Sequence, residues 1–154
     1  MAKFKMELPE DIMKDIKKLY DNYEDIFGGM TREGAEVALR NIKANAPNSA
    51  IAQNVHLSVT YKTPSDDGIS TKVYFSGYMP FRNGQKSFTR KAKGKLYTTT
   101  KGIPIPFLVN MYEYGRRGRR FPKKPFFRRA FKKGEIESAM LNAQKRLSGG
   151  LLDE

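Results

Sequence analysis

At Pro47 the spacing of the apolar residues changes from that of a helix to that of a strand. Before it, Ala35, Ala38, Leu39, Ile42 and Ala46 fall on one helical face, whose small residues allow close approach to a sheet or another helix. After it, Val55, Leu57, Val59 and Tyr61 alternate with His56, Ser58, Thr60 and Lys62, the pattern of a half-buried strand. Thr63, Pro64, Ser65, Asp66, Asp67 and Gly68 are turn chemistry, and Ile69, Thr71, Val73 and Phe75 then alternate with Ser70, Lys72 and Tyr74. Residues 51–77 are therefore expected to form an antiparallel hairpin. Helices followed by a hairpin, rather than strands and helices in alternation, point to an α+β fold with helices packed on a small antiparallel β-sheet.

Upstream, Ile12, Ile16, Leu19, Tyr20 and Tyr23 form an amphipathic stripe, and Pro9, Glu10 and Asp11 suit a helix start because proline lacks only an orphan donor and carboxylates complement the dipole. Gly28 and Gly29 are expected to end this helix and Thr31 to cap the next, making residues 1–48 helical. Downstream, periodicity is lost over residues 78–103, a long basic loop or hairpin arm in which Phe81, Phe88, Leu96 and Tyr97 leave room for a second hairpin. Residues 104–148 read as a helix, a basic loop and a C-terminal helix. In the first of these Leu108, Val109 and Tyr112 point inward, a buried strand being the competing reading; Gly115 closes it at positive φ. Pro125 is placed in the first turn of the last helix, with Phe127, Ala130 and Phe131 on one face. Ile136, Met140, Ala143 and Leu147 continue out of phase, so a break is expected near Gly134, and residues 149–154 form a tail. At 154 residues the whole is one domain.

The charge is as segregated as the periodicity. The chain carries 29 basic and 16 acidic residues, yet residues 78–133 hold 17 of the former against the single acid Glu113, while the other segments lie near neutrality. The cations Arg82, Lys86, Arg90, Lys91, Lys93, Lys95 and Lys101 lie in the arm, and Arg116, Arg117, Arg119, Arg120, Lys123 and Lys124 lie in the later loop.

Much familiar chemistry is excluded. With no cysteine and one histidine, His56, the chain has no thiolate site and no pair of imidazoles. No Gly-rich turn stands between a strand and a helix to cradle phosphates. No apolar run approaches the roughly 18 residues of a membrane span, and the amino terminus lacks a secretory signal, so a soluble cytoplasmic product is expected. Glu113 reads as an ion-pair partner for nearby arginines, with general acid or base as the sharper alternative. His56 faces away from the core stripe, and Asp66 and Asp67 belong to a turn. No catalytic residue, metal or cofactor is expected.

The basic block admits two readings. Cations interleaved with Phe81, Phe88, Tyr97, Tyr114, Phe121, Phe126 and Phe127 suit a nucleic-acid-binding surface, phosphates being neutralised while bases stack. A single-sign surface also suits docking on an acidic protein partner.

Two short motifs weigh on the choice: Tyr112, Glu113, Tyr114, Gly115, and then Lys124, Pro125, Phe126, Phe127, Arg128, Arg129, Ala130. In their order and spacing they resemble the tail-completion, or neck, proteins of long-tailed double-stranded-DNA bacteriophages, which pair an acid-aromatic-Gly motif with a later Pro-Phe motif opening the terminal helix. Ala38, Ile42, Ala46 and Pro47 followed by Leu57, Ser58 and Val59 look like that family's helix-to-strand junction. The resemblance spans residues 30 to 147 and departs at Ala50 and Arg116, where the family usually has Gly and a small hydroxyl residue. It implies a non-enzymatic structural protein of the virion, made in the host cytoplasm and forming a ring of copies of itself, a hexamer by that likeness. Its partners would be the connector or neck proteins and the tail-tube or tail-terminator proteins, with phage DNA as a further neighbour of the basic residues and no membrane. Tyr112, Gly115, Pro125, Phe126 and Ala130 would be architectural.

Overall fold

The computed structural model describes residues 9–65, 67–115 and 123–149. The fold is α+β. Helices α1 (Glu10–Asp21), α2 (Tyr23–Asn45) and α3 (Ser49–Gln53) are followed by eight short strands, then by α4 (Ile105–Tyr114), α5 (Phe127–Ala130) and α6 (Lys133–Leu147). Among the described residues no helix is long and apolar enough to cross a membrane.

The first two helices divide at Asn22, not at the expected glycines. Asn22 takes φ −109° and ψ 8°, and its side-chain Nδ2 donates to the Lys18 carbonyl at 2.9 Å, a local bond that competes with the helical ladder. Gly28 and Gly29 lie inside α2. Gly29 is tolerated because α2 and α6 pack closely: a Cβ there would stand 2.3 Å from Leu147 Cδ1, and one on Gly34 would stand 2.8 Å from Met140 Cγ, whereas one on Gly28 would meet only Thr60 Cγ2, at 3.6 Å. Each glycine costs the helix roughly 1 kcal/mol, which at Gly29 and Gly34 close packing of the partner side chain offsets. Ala35, Ala38 and Ala143 are buried along the same seam.

Thr31 correspondingly is no cap. Its hydroxyl lies within α2, donates back to the Gly28 carbonyl at 3.1 Å and meets Thr71 Oγ1 at 3.3 Å, while Thr71 meets Thr60 at 3.0 Å. With one proton per hydroxyl, the order of donation is Thr60 to Thr71 to Thr31 to carbonyl.

The hairpin is real but starts later and is interrupted. Residues 51–53 belong to α3, whose cap Asn48 accepts from Ile51 N–H at 2.9 Å. Strand β1 (Val55–Leu57) pairs antiparallel with β4 (Val73–Phe75), and β2 (Tyr61–Lys62) with β3 (Ile69–Ser70). Leu57 opposes Val73 and Tyr61 opposes Ser70, so three residues on the first side face two on the second, and the register slips by one at a bulge. Val59 is turned outward there, 86% exposed, against the expectation that it points to the core. His56 lies on the outer face against its register partner Tyr74, ring centroids 5.7 Å apart. The expected single sheet is in fact four separate two-stranded ladders.

Residues 78–103 form the arm. Strand β5 (Tyr78–Met79) pairs with β8 (Ile103–Pro104) at its base, and β6 (Phe88–Ala92) pairs with β7 (Lys95–Thr99) beyond it. A two-residue turn, Lys93 at φ 48° and Gly94 at φ 78°, joins β6 to β7 with the twist that suits a hairpin. The core collects Ile42 of α2, Ile51 of α3, Val55 of β1, Ile105, Leu108 and Val109 of α4, and Phe126 and Ala130 from the start of the C-terminal region. The last helix breaks at Phe131 and Lys132, so Gly134 falls in the first turn of α6.

Gly102 closes the base of the arm at φ 130°, where a Cβ would lie 2.4 Å from the Met79 carbonyl oxygen. Backbone cannot swing aside as a side chain does. Gly102→Ala is expected to lower stability by about 2 kcal/mol or more, whereas Gly134→Ala, with open space around it, should raise it by about 0.5 kcal/mol. Urea unfolding of the two variants checks both signs.

Candidate functional site

Glu113 is the buried acid around which the predicted motif residues gather. It is the penultimate residue of α4 and is 2% exposed. Oε2 accepts from the backbone N–H groups of Phe126 and Phe127, each at 3.1 Å. Oε1 accepts from Arg128 N–H at 3.3 Å and from Arg128 Nε at 2.8 Å. The carboxylate thus satisfies the first amides of α5, which have no partner within a four-residue helix, and pairs with a guanidinium besides. Burial is the largest single influence and raises its pKa. The Arg128 side chain and the three amides together outweigh it and hold the carboxyl below its ordinary value.

The neighbouring motif residues serve the same junction. Gly115 sits at φ 73° and ψ −179°, a region essentially reserved to glycine, and its N–H reaches the Met111 carbonyl at 2.8 Å. Lys124 N–H donates to the Tyr112 carbonyl at 2.8 Å. The Arg128 guanidinium lies 5.1 Å from the Tyr114 ring centroid. Ala130 is fully buried and Phe126 nearly so, while Phe127 packs edge-on against Phe75 at 5.4 Å. Pro125 precedes the cap Phe126 and stands outside the first turn of α5, correcting the expected position. A fixed φ still suits the extended approach that aims three successive amides at one carboxylate.

The predicted cations that lie among the described residues divide into two groups. Arg82, Lys86, Arg90, Lys91, Lys93, Lys95 and Lys101 are exposed along the arm. Lys123, Lys124 and Arg129 line a depression of about 490 Å³ with Asn45 and Pro47. Arg116, Arg117, Arg119, Arg120 and Phe121, like Asp66 and the tail beyond Gly149, lie outside the described residues.

Between the arm and α4 runs a groove of about 600 Å³. Phe88 anchors the arm on Phe107 at 5.0 Å, Met111 and Tyr114 complete the apolar wall, and Arg90 and Lys91 stand at the lip. Arg90 also stacks over its register partner Tyr97 at 5.5 Å. Phe107, Asn110 and Met111 carry no signal in the sequence, because only the docking of β6 on α4 makes them part of a site. Among the described residues no cluster of acids and histidine is arranged to hold a metal ion. No protein-family model, curated protein or solved structure matches this chain.

Removing the Glu113 carboxylate leaves buried amides unpaired, and Glu113→Ala should cost about 3 kcal/mol, with Glu113→Gln costing less because an acceptor oxygen remains. Because its folded pKa lies below the unfolded value, the folded state binds fewer protons in that interval. The carboxylate's contribution is therefore complete above about pH 4.5 and is lost as pH falls through the depressed folded value. Denaturant midpoints from neutral to acid pH should fall for the parent and change less for Glu113→Gln. Gly115→Val, forced into the glycine region, should cost about 1 to 3 kcal/mol, read in the same titration.

Proposed function

We propose that this protein is a structural component of a phage virion, a tail-completion protein of the neck that joins copies of itself in a ring and connects head to tail. It would be synthesised in the host cytoplasm and would act through protein contacts rather than catalysis. The observation that carries this reading is the arm. It is a hairpin anchored at its base and by Phe88 on α4, and it displays seven exposed cations in a stretch, residues 78 to 112, that holds no acidic residue. A protomer that spends so much chain on a projecting ribbon has something outside itself to hold.

Two further features support it. The motifs on which the phage resemblance rests form one physical unit, the Glu113 carboxylate on the amides of Phe126, Phe127 and Arg128. The same bonds occupy the one acid of the basic block, so Glu113 serves architecture rather than proton transfer.

A nucleic-acid-binding role is the second reading, favoured by Arg90 stacked on Tyr97 beside Lys91, Lys93 and Lys95. The two separate on salt. Binding through about six phosphates would weaken roughly a thousandfold between about 50 and 200 mM salt; in the proposed role DNA affinity is weak throughout. Reversing Arg90, Lys91, Lys93 and Lys95 to Glu, in a variant shown to be soluble with an unchanged circular dichroism spectrum, should leave filled heads and free tails unjoined in a complementation assay. Normal infectious particles from that variant would overturn the proposal.

A further inference from the structure

We propose that the groove between the β6–β7 hairpin and α4 receives helix α1 of a second copy of this chain. The inference rests on the ring reading above and specifies the contact that would build it.

Helix α1 alone among the described helices buries no residue. Its stripe is nonetheless apolar: Ile12, Ile16 and Tyr20 are 46%, 52% and 75% exposed. At about 1.5 Å per residue these three side chains span roughly 12 Å along one face. A 12-residue helix with such a face is marginal by itself and gains its stability from whatever covers the stripe. Within the protomer, α1 joins α2 through Asn22, and the stripe stays exposed among the described residues.

The groove offers the complementary chemistry. Its walls are Phe88, Phe107, Met111 and Tyr114, and its lip carries Arg90 and Lys91 with no acid among the lining residues. Asp11 and Asp15 lie in a row beside the α1 stripe. Their present partners, Lys14 and Lys18 at 4.0 and 3.4 Å, are exposed pairs one turn apart, weak enough to exchange for the groove cations. An amphipathic helix laying an apolar stripe into a groove, with its acidic edge on a basic lip, is a recurring recognition mode. The two faces lie on different parts of one protomer, so the contact is heterologous and repeats head to tail, closing into a ring when its rotation permits.

The absence of cysteine makes the contact directly testable. Ile16→Cys, on the stripe, and Asn110→Cys, an exposed position lining the groove, are purified separately, mixed, and treated with a short thiol-reactive crosslinker. The expected product is a heterodimer of the two variants, well in excess of either homodimer, with a yield that falls severalfold when the Asn110→Cys chain also carries Arg90→Glu and Lys91→Glu. Native mass spectrometry of the unmodified chain is run in parallel. Ile16→Cys linking mainly to itself would mean that α1 pairs with α1, and would overturn the proposal. A multimeric mass without the heterodimer would also overturn it while leaving the ring reading intact. A monomeric mass with no crosslink would remove both.

Discussion

The carboxylate of Glu113 is the constraint on which the rest of the molecule depends. An ionised carboxylate taken out of water costs several kcal/mol unless its lone pairs are met. Here four donors meet them, three of them backbone amides that would themselves be unpaired at the start of a short helix. The bond therefore answers two deficits at once, one on α4 and one on α5. It also fixes where the chain returns after Gly115, and so brings Phe126 and Ala130 into the core beside Ile105, Leu108 and Val109. Without it the last region would have no reason to enter the core at this point.

Around that junction α2 serves as the common support. Its C-terminal half supplies Ile42 to the main core, and its middle, thinned to Gly29, Gly34, Ala35 and Ala38, lets α6 lie close. Exposed ion pairs decorate this framework, among them Arg146 with Glu33 and Lys62 with Glu24, and contribute little beside the packing. The arm is held differently, by a two-residue ladder and by the close approach of Gly102 to Met79, so its base is tightly placed while its cations stay in solvent.

This division of labour frames the functional proposal. The Glu113 carboxylate is engaged by four donors at the junction, and the surface carries a basic ribbon, a groove with a basic lip, and an acidic-edged helix whose apolar stripe is exposed among the described residues. Surfaces of opposite character on one chain favour repeated contact between copies.

Whatever depends on neighbours a few residues away was legible in the chain. Period places the C-terminal half of α2 and the course of α6 but leaves α4 open between a helix and a buried strand; the change at Pro47 places the switch to strands, and Gly115 announces a positive φ because a helix end there needs one. The charge block likewise is a property of the chain. Tertiary structure decided the rest, for reasons that local pattern does not contain. Gly28 and Gly29 read as a stop, yet α2 runs through them, and at Gly29 Leu147 of α6 fills the space that the missing side chain leaves. Val59 fits the strand alternation, yet a bulge turns it outward because the two sides of the hairpin differ by one residue between their ladders. Glu113 was recognisable as a partner for an arginine, but its three amide bonds, and the groove walls Phe107 and Met111, exist only because segments distant in sequence meet. Propensity and period act within a turn or two of the chain; burial of a charge or a cleft requires the whole core to close around it.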